Sequence, residues 1–370
     1  MNDTAKYPRG PGDVEQAWGR FVILLRRLLV SAALVIGLLA CVPAVAAASD
    51  PPDPGTTTTG TVTSNGTVYP YILYTPTSYT PGTPAPLVVI LHGCQTTADQ
   101  QMHASLYNPV AEREGFVVLY VEADAVGRAQ PGPAANCWKF ADPQSYFRGS
   151  ADAAGIADAT RAVIAKRDID PERVYAAGIS GGGLMTSAVA AAYPDLYAAV
   201  AIHSSAGYGD GFCFASGTGI PVQASALLAY NAMGSNARVV PLMVISGDQD
   251  LAFPPSCNDK ALEQGLRTDN MVLSRSQDGP ISLSPASSRD GQVTRGYAYT
   301  VKSFLDPSGC LIAERWIVHR MGHFWSGGTT DPAYANFTDP KGPSAAEATW
   351  AFLSRYRKPD TEMPCAEAAG

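Results

Sequence analysis

Histidine is scarce in this chain: five imidazoles serve 370 residues, so a reaction that needs one as a base has few places to find it. Basic residues are also short, at 26 Lys+Arg against 33 Asp+Glu, a net charge of −7. An acidic chain of this kind has no electrostatic case for binding nucleic acid or an anionic bilayer, which excludes both as partners. Seven cysteines are present, and none has the spacing of a zinc site. There is no internal repeat and no sign of a second domain, so one elaborated α/β domain is expected to hold most of the residues.

The first long apolar run lies near the start. Arg26 and Arg27 precede Leu28 to Ala40, and the small-residue stretch Ala44-Val45-Ala46-Ala47-Ala48-Ser49 follows. That is the order of a secretory signal, with cleavage expected near Ala48. A lipoprotein box at Cys41, a twin-arginine signal and a retained anchor from Leu28 to Ala48 are the alternatives. The apolar run continues past Cys41, the residues around the arginine pair fit poorly, and Pro43 with the alanine-rich end favours cleavage. The expected product is secreted and extracellular, without stable membrane association. Its plan is a signal over 1–48, a mobile Pro/Thr-rich lead-in over 49–60, a catalytic domain over 61–358 and a tail over 359–370. Loss of 1–48 removes five basic and three acidic residues, leaving 21 against 30 and a net charge of −9. It also leaves an even set of cysteines (Cys94, Cys137, Cys213, Cys257, Cys310 and Cys365), which in an oxidising compartment suggests disulfides.

Two β-rich runs, Thr59 to Ser64 and Thr67 to Thr75, flank Asn65-Gly66 and predict an antiparallel hairpin. Continuous apolar runs follow at Pro86 to Leu91, Phe116 to Val121, Val174 to Ala177, Ala198 to His203 and Pro241 to Ser246, as strands covered on both faces require. Helical patterns separate them at Ala98 to Arg113, Ala151 to Lys166, Gly181 to about Ala192 and Cys257 to Arg267. Thr268 to Gln292 reads as a polar loop, Gly296 to Phe304 and Leu311 to His319 as two further strands, and Pro343 to Tyr356 as a last helix. This alternation predicts a mostly parallel central sheet with helices on both faces.

The chemistry centres on Gly178-Ile179-Ser180-Gly181-Gly182, a G-x-S-x-G between a strand and a helix. A sharp turn there lifts a serine hydroxyl above the sheet, and the glycines let strand and helix pass closely. Ser180 is therefore the candidate nucleophile. A serine needs a base and a carboxylate that orients it, and at such a turn they follow in the order acid, then histidine. Among the histidines, His92 precedes the serine, His103 lies on an early helix, His203 comes before any candidate acid, and His319 falls within a strand. His323 remains, in a loop after the last strand. Asp248 and Asp250 both follow the strand ending at Ser246. Asp248 can simply cap its turn; Asp250, two residues further out, can reach back to the histidine and is preferred. The backbone N–H groups of Gly181 and of Cys94, in His92-Gly93-Cys94-Gln95, are the candidate oxyanion donors. Such a triad calls for no cofactor and no metal.

These motifs bear a resemblance to a known family. With Leu91-His92-Gly93-Cys94, Asn136-Cys137-Trp138, Ile169-Asp170-Pro171-Glu172-Arg173-Val174-Tyr175, Gly322-His323-Phe324-Trp325-Ser326-Gly327-Gly328 and Thr338-Asp339-Pro340-Lys341-Gly342-Pro343, the chain resembles the extracellular polyhydroxybutyrate depolymerase family. These are esterases of α/β-hydrolase fold, related to feruloyl and acetylxylan esterases. The resemblance implies Ser180, Asp250 and His323 as the triad, Cys94 and Gly181 as oxyanion donors, and a Cys94–Cys137 disulfide bracing the oxyanion loop. It implies a hydroxyalkanoate polyester or an esterified plant polysaccharide as substrate. Gly181 stands where the family often has alanine, a change expected to matter little because the backbone donates. Ser246-Gly247 replaces a common His-Gly, and Lys139-Phe140 follows Trp138 where more aromatic character is usual. Trp138 and Trp325, beside motif loops, are candidate substrate contacts; Phe140, Tyr146 and Phe324 are weaker ones, since packing is the commoner fate of aromatics. An idle hydrolase fold serving as a binding protein is the reading from another class, and a complete triad counts against it.

Overall fold

The computed structural model describes residues 53–358, all within the unit Ala48–Gly370. The expected signal, Cys41, Cys365 and the expected tail lie outside the described residues. Ten strands form one sheet in the order β1-β2-β4-β3-β5-β6-β7-β10-β9-β8. They are β1 (Thr56–Ser64), β2 (Thr67–Thr75), β3 (Ala85–Leu91), β4 (Val117–Val121), β5 (Ile169–Ile179), β6 (Ala199–His203), β7 (Leu242–Gly247), β8 (Ser287–Gln292), β9 (Ala298–Leu305) and β10 (Leu311–Val318). The six central strands from β4 to β10 run parallel; β1, β2, β8 and β9 add antiparallel flanks.

Strand residues alternate between two packed faces, which is why the apolar runs are continuous. Leu87, Val89 and Leu91 pack with α3 (Ala151–Lys166), α4 (Gly181–Ala192), α5 (Val222–Met233) and α6 (Pro255–Ser274). Val88 and Ile90 face the other way, toward α1 (Ala98–Ser105), α2 (Tyr107–Glu114) and α7 (Ala345–Leu353). The chain leaves β3 for β4 on one side and returns past β3 to β5 on the other. That reversal opens a crevice at the carboxyl ends of β3 and β5, the place where open α/β sheets bind ligands.

Four elements depart from expectation, the first being α6, which runs on to Ser274 where a loop was expected from Thr268. The predicted helix over Ala98 to Arg113 breaks at Leu106 (φ 59°) into α1 and α2. Pro109 has no N–H and its ring would meet the carbonyl four residues back, so one continuous helix is excluded. Part of the lead-in expected to be mobile, from Thr56 onward, is already in β1, where β-branched threonines suit a pleated edge. Ser287–Gln292, read as loop, is β8, an exposed edge strand without an apolar alternation to reveal it.

Candidate active site

The turn after β5 holds Ser180 at φ 57° and ψ −122°, a conformation that non-glycine residues seldom adopt. Its surroundings fix it there. The Ser180 N–H donates to the His203 carbonyl at 3.0 Å, and its own carbonyl accepts from Ser205 Oγ at 2.6 Å. The flanking glycines are dictated by close approach: a Cβ on Gly178 would sit 2.5 Å from the Gly182 carbonyl oxygen, and one on Gly182 would strike the Leu91 carbonyl.

Asp250 lies in the loop after β7, 1% exposed. Its carboxylate holds the His323 ring through Nδ1, at 2.9 Å to Oδ2 and 3.1 Å to Oδ1. Oδ1 also accepts the N–H groups of Ala252 and Phe253, both at 2.9 Å, so the carboxylate is anchored to its own loop. Ser180 and His323 line one cavity of about 260 Å³, together with Cys94 and Gly181. The candidate nucleophile, the candidate base and both candidate oxyanion donors thus line one crevice, with the candidate acid Asp250 bonded to the base behind it. Asp248 takes no part in the Asp250–His323 pair; it bonds His319 instead.

Cys94 and Cys137 form a disulfide, and Cys213 and Cys257 form a second. Cys310 is disulfide-bonded as well. The first bridge gives Gly181 a role that its backbone alone does not explain. A Cβ there would lie 2.8 Å from Cys94 Sγ and 3.1 Å from Cys137 Sγ, so the bridge leaves little room for alanine at this position.

Trp138 is also corrected. It is 1% exposed and does not line the cavity. Its indole N–H donates to the His92 carbonyl at 2.9 Å, which makes it a brace beneath the oxyanion loop. Trp325 does line the cavity while its N–H is bonded to the Ser105 carbonyl at 3.2 Å. Phe140 lines it too; Tyr146 is core, edge-on to Tyr208, and Phe324 is not part of the wall. Sequence reasoning overlooked Phe214 and Phe253, which complete the apolar wall. They belong to loops without regular patterning, although Phe253 stands only three residues after Asp250.

His203, set aside by chain order, sits behind the site. Burial pulls its imidazole down to about 3, with His323 and Arg315 adding to the effect, so it stays neutral. It accepts the Ser326 N–H at 3.1 Å and stacks on Trp325 at 4.7 Å, fixing the loop that carries His323. Among the described residues no His/Cys/Asp/Glu group has the makings of a metal site, and no helix is long and apolar enough to cross a membrane.

Residues 69–272 match the family model described as "Esterase PHB depolymerase". An acetylxylan esterase from Coprinopsis cinerea is 30% identical over 229 residues, 57% of this chain and 57% of that protein. The chain therefore spans little more than half the length of that relative. Poly(3-hydroxyalkanoate) depolymerase C from Paucimonas lemoignei is 35% identical over 117 residues, 32% of this chain and 27% of that one. Among solved structures, an acetyl xylan esterase from Aspergillus awamori superposes with a TM-score of 0.60 at 18% identity, covering 80% of this chain and 99% of that chain. At that identity the likeness speaks for the fold: this is an α/β-hydrolase sheet.

Proposed function

Since this chain belongs to the esterase PHB depolymerase family, we propose that it is a secreted serine esterase that cleaves poly(3-hydroxybutyrate)-type polyesters or their oligomers. The observation that carries this reading is the Asp250–His323 pair, at 2.9 and 3.1 Å, opening into the same cavity as Ser180 on its turn. Ser180 Oγ attacks the ester carbonyl carbon while His323 Nε2 takes its proton. Asp250 holds Nδ1–H and stabilises the imidazolium that forms. The carbonyl oxygen, now an anion, rests on the N–H groups of Cys94 and Gly181. His323 returns the proton to the leaving alkoxide, the C–O bond breaks, and an acyl-serine remains. Water, activated by His323, then hydrolyses it.

Phe140, Phe214, Phe253, Trp325 and Phe337 give the cavity a largely apolar wall, suited to an aliphatic acyl chain. Gln95, Gln100, Gln101 and Asn336 add a polar side. That side, with the acetylxylan esterase relative, supports a second reading: an acetyl- or feruloyl-esterase acting on plant polysaccharide. The disulfides fit an oxidising, extracellular setting for either substrate.

Residues 49–370 are to be incubated with polyhydroxybutyrate granules and, separately, with acetylated and feruloylated xylan, with Ser180→Ala in parallel. Clearing of the granules with release of 3-hydroxybutyrate by the wild type alone supports the polyester. Intact granules beside release of acetate or ferulate would transfer the mechanism to the polysaccharide.

A further inference from the structure

The loops that carry Asp250 and His323 come from different strands, and the catalytic pair alone does not hold them together. A second carboxylate–imidazole pair lies between them. Asp248 Oδ2 is 3.0 Å from His319 Nδ1, and Asp248 Oδ1 accepts the Arg320 N–H at 2.7 Å. Backbone bonds continue the seam, from Asp248 N–H to the Val318 carbonyl at 3.1 Å and from Gln249 N–H to the Met321 carbonyl at 3.0 Å. At Gly247 the two loops are so close that a Cβ would strike the Met321 carbonyl. The far nitrogen of His319 is 3.0 Å from Thr300 Oγ1 on β9, and that hydroxyl donates to Asp290 on β8 at 2.7 Å. Partial burial works against the Asp248 carboxylate, yet the His319 and Arg320 bonds hold it below its ordinary range.

We propose that Asp248 and His319 are positioning residues for the reaction: a bridge that sets the distance between the acid-bearing and base-bearing loops and so aims His323 at Ser180. Neither touches substrate. The bridge spans Asp248 to Arg320, starting two residues before Asp250 and ending three residues before His323, so slack in it passes directly into the catalytic pair. A displacement of about 1 Å in such a constellation is enough to cost up to roughly a hundredfold in rate. The proposal rests on the Ser180–His323–Asp250 reading.

The test uses the whole folded chain and a short-chain nitrophenyl ester, with active sites counted by fluorophosphonate labelling carried to its endpoint, so that kcat is expressed per serine that reacts at all and slow labelling is not read as lost sites. Asp248→Ala and His319→Ala are each expected to lower kcat per site by about tenfold or more, with KM within about twofold. The double variant is expected to be no worse than the poorer single one by more than about twofold, because one bridge is lost in each case. Asp248→Asn keeps an acceptor for the Arg320 N–H and can donate to His319 Nδ1, so it is expected to recover kcat to within about threefold of wild type. A purely structural role would reduce the number of labelled sites and leave kcat per site unchanged, which overturns the proposal. So would additive losses, or an Asp248→Asn variant as poor as Asp248→Ala. Ser180→Ala separates the two claims: activity surviving in it refutes the nucleophile, whatever the bridge variants do.

Discussion

At position 181 a methyl group would be crowded, at 2.8 Å from one sulfur and 3.1 Å from another. Its neighbours are the two sulfurs of the Cys94–Cys137 bridge, which cannot swing aside as a flexible chain end could. Gly181→Ala is therefore expected to lower stability by about 1–3 kcal/mol, the usual cost of overpacking, and to reduce kcat as the oxyanion loop shifts. Urea denaturation alongside ester hydrolysis checks both; a variant with unchanged midpoint and kcat would show that the loop yields freely. This constraint was not legible in the residues, because it arises from a bridge between positions 94 and 137 closing over a third segment. The residues proposed to react were legible for the opposite reason. Ser180 announces itself by local glycines, and scarcity singles out His323 once chain order is applied. The preference for Asp250 over Asp248 rested on reach, and the pairing at 2.9 Å is in keeping with it. Trp138 misled because its motif position says that it is near the site but not which way its ring faces.

Among the elements, the oxyanion loop after β3 has the most elaborate support. The disulfide ties it to a segment 43 residues away, and Trp138 braces it from below. Replacing both cysteines, Cys94→Ala with Cys137→Ala, is expected to cost about 2–5 kcal/mol of stability. Because the remaining loop carries a candidate oxyanion donor, kcat should fall further than KM changes, which steady-state kinetics on a soluble ester would read. Equal kcat in the double variant would mean that the Trp138 bond to the His92 carbonyl suffices. The buried strands were readable as apolar runs, and the hairpin as Asn65-Gly66 between β-branched stretches. What escaped is what periodicity does not encode. β8 is exposed along its length and forms only because β9 offers a free edge, and the break at Leu106 follows from Pro109, which the helical pattern around it conceals.

Taken whole, the molecule also buries charge away from the site. Asp269 is fully enclosed beside β7, and desolvation pushes its carboxyl up to about 8, against the Val240 N–H and Arg238 that favour the anion. The folded state thus binds this proton more tightly than the unfolded chain, whose carboxyl titrates near 3.8. Its contribution to stability is complete below 3.8, is lost as pH rises toward about 8, and levels off beyond. Urea midpoints measured between pH 5.5 and 8.5, on the order of the window in which a single proton is lost, should fall with pH in the wild type relative to Asp269→Asn. Parallel profiles would show that Asp269 is ionised throughout. The proposed activation of Ser180 by His323 and Asp250 is tested most directly by covalent labelling. Intact-mass and peptide analysis after a fluorophosphonate should show one adduct, on Ser180, absent from Ser180→Ala and formed far more slowly in His323→Ala. No adduct, or an adduct on another residue with esterase activity retained in Ser180→Ala, would rule out Ser180 as the nucleophile.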